Sequence, residues 1–384
     1  MPPQPLPMPA ASAILAVNIG SSSIKYAAYE IIRGTPDHIG RLIVSGNLQG
    51  IEPNDQSLRN GLHQFKEKLA ESMGSAAIRA IAHRVVHGGE RYQRAVIATP
   101  AVLSELHQLD RLAPLHQPHN LRGISLLLDA FPGVPQVACF DTAFHTTLPE
   151  TEKAFGLTQT LYQHGLRRFG FHGLSYHYVS ELLSQHSAAA KGRLLMAHLG
   201  NGASLCACLQ GKSIATTMGF STLGGLIMGT RCGDLDPGVL LYLLQEGMSL
   251  QELEDLLYRQ SGLKGMSEIS ADMRALRENG SANALFAIKL FTARVIREAG
   301  GLIAAMGGVD AIAFTGGIGE NDAVLRAEVC SALQCFGVEI CPDTNNRAAE
   351  SRPLAIHTRH STAEVWVVKT DEGRVAAQEA FALL

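Results

Sequence analysis

The chain opens its patterned region with an apolar run, Ile14–Val17, followed by the polar turn Asn18-Ile19-Gly20-Ser21-Ser22-Ser23 and a second strand-like stretch, Ile24–Tyr29. Short β-rich runs joined by a Gly/Ser turn predict a hairpin. The same grammar returns half a chain later, where Leu194–Ala197 leads into His198-Leu199-Gly200-Asn201-Gly202-Ala203-Ser204 and an alternating run to Cys208. Asn18, Gly20 and Ser21 align with His198, Gly200 and Asn201. The match is short, but its half-chain spacing suggests a duplicated domain.

Between and beyond the hairpins, Thr99-Pro100 supplies an N-cap and first-turn pair for a helix over Ala101–Leu112, and Val134–Asp141 reads as a buried strand ending in a carboxylate. Asp236-Pro237 opens a helix toward Glu246, Ala284–Met306 predicts a long buried helix, and Asp310–Phe314 a short strand that ends in glycines. Strands alternating with helices predict an α/β architecture, in which ligands bind beyond the carboxyl ends of the strands.

A length of 384 residues exceeds what one core usually supports, so two domains with a cleft are expected. With 46% apolar and 17% charged residues and a net charge of −3, the composition is that of a globular protein without the basic footprint of a nucleic-acid binder. The opening MPPQPLPMPA has neither a basic start nor an apolar core and reads as a tail, not a signal peptide. Elsewhere charges or glycines interrupt the apolar stretches before the roughly 18–20 residues that span a bilayer. A cytoplasmic protein acting on a small molecule, without membrane or nucleic-acid partner, is the expectation. The seven cysteines show no CxxC pairing and read as buried thiols.

No GxxxxGK[ST] sequence is present, so phosphates would have to be held otherwise than by a P-loop. Backbone donors in Gly20–Ser23 and Gly200–Gly202, with the hydroxyls of Ser21 and Ser22, predict two anion-binding nests facing one another across the cleft. In His83-Arg84-Val85-Val86-His87-Gly88-Gly89, Arg84 sits on an otherwise apolar strand, where a guanidinium needs an anion. A salt bridge to Asp141 satisfies that need structurally, and the two readings are compatible if Asp141 orients Arg84 toward a ligand. Arg231, in the glycine-flanked run Met228–Pro237, reads as an anion binder and Asp236 as an N-cap. His172 precedes the helical pattern Ser175–Leu183, where a helix N-terminus disfavours the imidazolium but welcomes an anionic ligand. Phe314-Thr315-Gly316-Gly317-Ile318-Gly319-Glu320-Asn321 lacks the GxGxxG spacing of a dinucleotide site and suits adenosine packed on bare backbone.

Together the segments NIGSSSIK, HRVVHGGE, LAPLHQPHN, FDTAFH, RRFGFHG, HLGNGAS, MGTRCGDLDPG, FTGGIGEN and TDE resemble one family, the acetate kinases, within the superfamily of acetate and sugar kinases, heat-shock chaperones and actin. The resemblance runs from Ile14 to Glu379 in the family's order and spacing. It implies a duplicated, actin-like (ribonuclease H-like) α/β fold with a central cleft. A tail over 1–12, an N-terminal domain over 13–148, a C-terminal domain over 149–372 and a final helix over 373–384 returning to the first domain are the implied divisions. The implied activity is reversible, direct in-line phosphoryl transfer between ATP and acetate, giving ADP and acetyl phosphate. The same resemblance implies Mg²⁺, for which Mn²⁺ can substitute, and a homodimer formed through the C-terminal domain.

By that resemblance Asp141, His172, Arg231 and Arg84 are the catalytic residues, with Arg84, Val86, Leu115 and Thr222 contacting the carboxylic substrate. Lys25, Ser21, Ser22, His198, Gly200, Asn201, Gly202, Gly317, Ile318, Gly319 and Asn321 would bind nucleotide, and Asn18 and Glu372 the metal. The departure from the family's pattern is Ser221-Thr222-Leu223-Gly224-Gly225, which replaces a proline and an acid near the acyl end and leaves a propionate or other short-chain fatty acid kinase as the alternative. A sugar kinase would want a carboxylate to deprotonate a hydroxyl, whereas a carboxylic acid is already ionised at neutral pH. A non-catalytic regulator would have no need of Arg84, Asp141, His172 and Arg231 together.

Overall fold

The computed structural model describes residues 12–20, 23–32, 38–50, 55–74, 76–347 and 353–384, with the side chains of 55–59 not described. The chain divides into two compact units, one of Met1–Ala143 with Asp371–Leu384 and the other of Phe144–Thr370. The expected tail lies outside the described residues except for Ser12, which opens the first strand.

The first unit holds strands β1 (Ser12–Ile19), β2 (Ser23–Ile31), β3 (Ile39–Gln49), β4 (Ala77–Val85), β5 (Val96–Ile97) and β6 (Gln136–Phe140) in one sheet of order β3-β2-β1-β4-β6-β5. The second unit holds β7 (Arg193–Leu199), β8 (Ala203–Leu209), β9 (Lys212–Thr216), β10 (Ala311–Thr315), β11 (Leu354–Ala355) and β12 (Glu364–Val367) in the order β11-β12-β10-β7-β8-β9. Read from β9, the second sheet repeats the first strand for strand. In each, the opening three strands form an antiparallel meander, the next two run parallel to the first, and the last is antiparallel. Ile19 pairs with Ile24 across the first turn and Leu199 with Ala203 across the second, which is therefore one residue shorter. The duplication suggested by the two hairpins is thus present in the whole topology.

The apolar run Ala13–Val17 is fully buried because β1 lies in the middle of its sheet with both faces covered. Phe65, Leu69 and Met73 of the helix Asp55–Met73 close one face, while Leu103, Leu106, Leu121 and Ile124 pack with Val85 and Phe140. In the second unit, Tyr176, Val179 and Leu183 of the helix Gly173–His186 pack on Leu194, Met196 and Ala313.

Three elements differ from the sequence expectation. The helix beginning at Pro100, capped by Thr99 as expected, ends at His107, and only a short 3₁₀ turn at Asp110–Leu112 continues it. Ala113 then turns out of helical geometry ahead of Pro114, as a residue before proline prefers. The long helix runs Ala282–Ala305 with Ser281 as its cap, and it is buried on one face only, since Leu285 and Phe286 are about half exposed. Finally, the glycine turn after β10 is itself a helix, Gly316–Asn321. Gly316 makes this abrupt junction at φ +78°, where a Cβ would lie 2.7 Å from the Leu199 carbonyl oxygen.

Candidate active site

In the first unit the parallel strands β1, β4 and β6 bring Asn18, Arg84 and Asp141 to their common carboxyl edge. Arg84 donates from Nε to both Asp141 oxygens at 3.0 and 3.2 Å and from Nη2 to Oδ2 at 2.7 Å. Its Nη1 meets Glu372 at 3.1 Å. Burial works against the charged guanidinium, but attraction to Asp141 and Glu372 and the Asp141 hydrogen bond outweigh it and raise the pKa above its ordinary value. The guanidinium is therefore locked, and one proton on each Nη is not used by these four contacts.

Asn18, Lys25, Arg84, Asp371 and Glu372 line one cavity of about 170 Å³ in this unit. Asn18 and Lys25 face each other across the β1–β2 pairing. The cap of the last helix, Glu372–Phe381, is Asp371, which accepts from the Arg374 backbone N–H and from the Tyr29 hydroxyl, so Glu372 is left for Arg84 and the cavity. Ser21 and Ser22, expected at the first nest, lie outside the described residues. Among the described residues no cluster of three or more His, Cys, Asp or Glu forms a ready metal cage. A carboxylate and an amide oxygen beside one cavity do suit Mg²⁺, a hard ion that keeps several waters and takes one or two carboxylates.

The backbone after β4 is pinned by side chains that the sequence reading passed over. Asn120 accepts from the Val86 N–H and donates to the Ile19 carbonyl at 2.8 Å, Gln117 clamps both backbone groups of His87, and Thr142 accepts from the Gly88 N–H. Gln117 and Asn120 begin the helix Gln117–Ala130, and their only sequence signal was two amides in the Leu115–Asn120 run. Val86 is buried and Leu115 half-buried in this unit, while Thr222 belongs to the other.

In the second unit, His172 caps the helix Gly173–His186 at φ +59°, a left-handed geometry uncommon outside glycine. Its ring stacks on His198 at 4.2 Å between centroids, and His198 Nδ1 lies 2.8 Å from Ser175 Oγ. A Cβ placed on Gly202 would stand 3.2 Å from His172 Nε2 and 3.7 Å from Arg231 Nη2. Turn and both side chains therefore converge at one point, and glycine keeps that point open. Arg231 Nη1 donates to the Thr222 carbonyl at 3.0 Å, whereas the buried Thr222 hydroxyl has no hydrogen-bond partner among the described residues.

The second turn is tied to both neighbours. Gly229 N–H donates to the Asn201 carbonyl, anchoring the Arg231 loop, and a Cβ on Gly200 would sit 3.7 Å from the Gly317 nitrogen. Asn321 Nδ2 folds back onto the Gly317 carbonyl, Gly319 is buried against β7, and Ile318 lies between them in the same short helix. Glu320 Oε1, also missed in the sequence, accepts from the Gly316 and Thr370 N–H groups. Asp236 caps the helix Pro237–Gln245 through the Gly238 N–H, the structural role expected of it.

Three further histidines are internal. Burial lowers His83, His87 and His145 each to a pKa of about 4. Unfolded histidines bind protons from about pH 6.5, so stability is present above that value and is lost as pH falls from about 6.5 toward 4, by up to about 1.4 kcal/mol per pH unit for each residue. Glu379, pushed up to about 7 by burial, works in the opposite direction but is one group against three. Urea midpoints are expected to drop between pH 7 and 5, and less so in His83→Gln. An equal drop in the variant would remove His83 from the linkage.

The duplicated α/β fold, with Arg231 and His172 meeting at Gly202 in one unit and a locked arginine in the other, is that of a phosphotransferase family. The chain belongs to the acetokinase family, whose model matches residues 13–378. It is 46% identical over 395 aligned positions to the acetate kinase of Rhodopseudomonas palustris strain ATCC BAA-98 / CGA009, covering 96% of this chain and 98% of that one. Among solved structures it resembles Porphyromonas gingivalis acetate kinase (32% identity, TM-score 0.84) and a propionate kinase from Francisella tularensis subsp. tularensis SCHU S4 (34%, TM-score 0.86), each covering 97% of this chain and 100% of the other.

Proposed function

We propose that this chain transfers a phosphoryl group reversibly between ATP and acetate, directly and without a phosphoenzyme. The observation that carries the reading is the convergence of His172 Nε2 and Arg231 Nη2 on the bare Gly202 backbone. Three kinds of donor at one open point suit the equatorial oxygens of a transferring phosphoryl group, whose stabilisation is chiefly electrostatic. An acceptor carboxylate is already ionised, so no strong general base is required. Arg84, held by Asp141 and Glu372, supplies cationic donors for the carboxylic substrate. Gly200–Gly202 and Gly317–Asn321 offer backbone to the nucleotide, with His198 beside the first of these turns, and Lys25 lines the cavity of its own unit. Asn18 and Glu372 would hold Mg²⁺, which neutralises phosphate charge when bound. Trapping acyl phosphate with hydroxylamine tests the reading, and a folded chain that yields no hydroxamate from ATP and acetate would overturn it.

The acyl preference follows from small apolar differences. One methylene is worth about 1–3 kcal/mol, so propionate is expected at a kcat/KM roughly 10–200-fold below acetate. Val86→Ala removes bulk from the proposed wall and should narrow that ratio. An unchanged ratio would take Val86 out of the pocket.

A homodimer in the cytoplasm is the form proposed. The helix Pro237–Gln245 has no buried residue, although Val239, Leu241, Tyr242 and Leu244 are apolar and 43–61% exposed. An apolar face of this kind is characteristic of an association site, and a second copy of the chain is the proposed occupant. Leu241→Glu should shift the light-scattering mass from dimer to monomer. No helix among the described residues is long and apolar enough to cross a membrane.

A further inference from the structure

Ser204 is wholly buried in β8, paired with His198, and its hydroxyl stands between two other polar groups. Its Oγ lies 2.8 Å from His172 Nδ1 and 2.5 Å from the hydroxyl of Tyr176, a fully buried residue on the helix that His172 caps. Each hydroxyl carries one proton, and a buried proton without an acceptor is destabilising. Ser204 is the one side-chain hydrogen-bond partner of the Tyr176 hydroxyl among the described residues.

These constraints give the chain of protons a direction. The phenol proton has Ser204 Oγ as its acceptor, and the Ser204 proton then has His172 Nδ1. A ring nitrogen that accepts carries no proton, so the neutral imidazole holds its proton on Nε2. In the reverse direction His172 would donate to Ser204 and Ser204 to Tyr176, leaving the phenol proton stranded in the core. The left-handed backbone of His172 is held against its own preference by the same hydrogen bond and by the His198 stack.

We propose that Ser204 and Tyr176 are positioning residues that fix His172 as its Nε2–H tautomer, with that proton on the side of the ring nearer Gly202. The catalytic consequence rests on the phosphoryl-transfer reading, but the tautomer does not. A histidine holding its proton on the ligand side before substrate arrives needs no reorganisation to donate to a developing phosphoryl oxygen.

The test is a long-range ¹⁵N–¹H spectrum of the full chain labelled at histidine, at mildly alkaline pH, with His172 assigned by its loss in His172→Gln. The wild type is expected to show the Nε2–H pattern, and Ser204→Ala and Tyr176→Phe a mixture of tautomers. Ser204→Ala should lower kcat by about 10–100-fold, the range for a lost partner behind a functional histidine, with KM values close to wild type. Ser204→Thr, which keeps the hydroxyl, should recover most of that turnover. An Nδ1–H pattern in the wild type overturns the proposal whatever the variants do, and so does a folded Ser204→Ala enzyme with unchanged kcat and tautomer. Failure to form acyl phosphate counts against the kinase reading alone, and the wild-type spectrum then decides the tautomer by itself.

Discussion

Arg231→Ala is expected to lower kcat by about 10³-fold or more, as removal of a transition-state arginine does in phosphoryl transfer, while the protein stays folded. The Arg231 side chain donates to the Thr222 carbonyl, and its loop is also held by backbone bonds from Met228 to Arg231, Ser261 to Thr230, and Leu263 to Met228. Truncation therefore leaves the loop's supports in place, and the unfolding free energy should change by no more than about 1 kcal/mol. Steady-state kinetics with urea unfolding on the same preparation separates the two effects. A folded Arg231→Ala enzyme that keeps most of its turnover would take Arg231 out of the reaction. The comparable change at Arg84 is a poorer test, because it strips the counter-charge from Asp141 and Glu372 and mixes catalytic loss with repulsion between carboxylates.

Asp141→Ala should act on both stability and rate. The Asp141 side chain is 2% exposed and takes the Nε and Nη2 donors of an Arg84 that is itself only 22% exposed. Removing one partner of a buried pair costs about 3–5 kcal/mol, and retention of Glu372 places the expected loss near the lower end, about 3 kcal/mol. Without its orienting carboxylate the guanidinium swings toward Glu372, and misplacement by about 1 Å is enough to cost about 10²-fold in kcat. Glu372→Ala offers the contrast. It leaves the bidentate Asp141 bond intact, so its effect on stability should be smaller, with the Mg²⁺ requirement raised. Equal urea midpoints for wild type and Asp141→Ala would show that the pair is not a structural lock.

Much of this was legible from local chemistry. Thr99-Pro100 and Asp236-Pro237 announced their helices because cap geometry is written within a few residues. Ile14–Val17 and Leu194–Ala197 announced the opening strands of two hairpins because short apolar runs meet Gly-rich turns, while their central place in each sheet came from the structure. The Arg84–Asp141 pair was legible too, since a guanidinium on an apolar strand has to find an anion. Ser204, Tyr176, Gln117 and Asn120 were not singled out. A serine, a tyrosine and two amides carry no charge, and nothing in their spacing requires partners 28 or more positions away.

What the sequence by itself determined is therefore the set of reactive groups and the elements that carry them: two Gly-rich hairpins, two arginines needing anions, a histidine ahead of a helix, and a family resemblance over nearly the whole chain. What only the tertiary structure decided is which partner each atom of those groups meets. Arg84 has most of its donors taken by Asp141 and Glu372, and Glu372 comes from a helix that joins β4 only when the chain's last residues return to the first unit. His172 Nδ1 meets Ser204, while Nε2 and Arg231 Nη2 both approach Gly202. Hydrogen bonds are short and directional, so they are settled by ångström-scale placement of residues far apart in the chain, whereas hydrophobic pattern and capping act within a few residues and survive in the sequence.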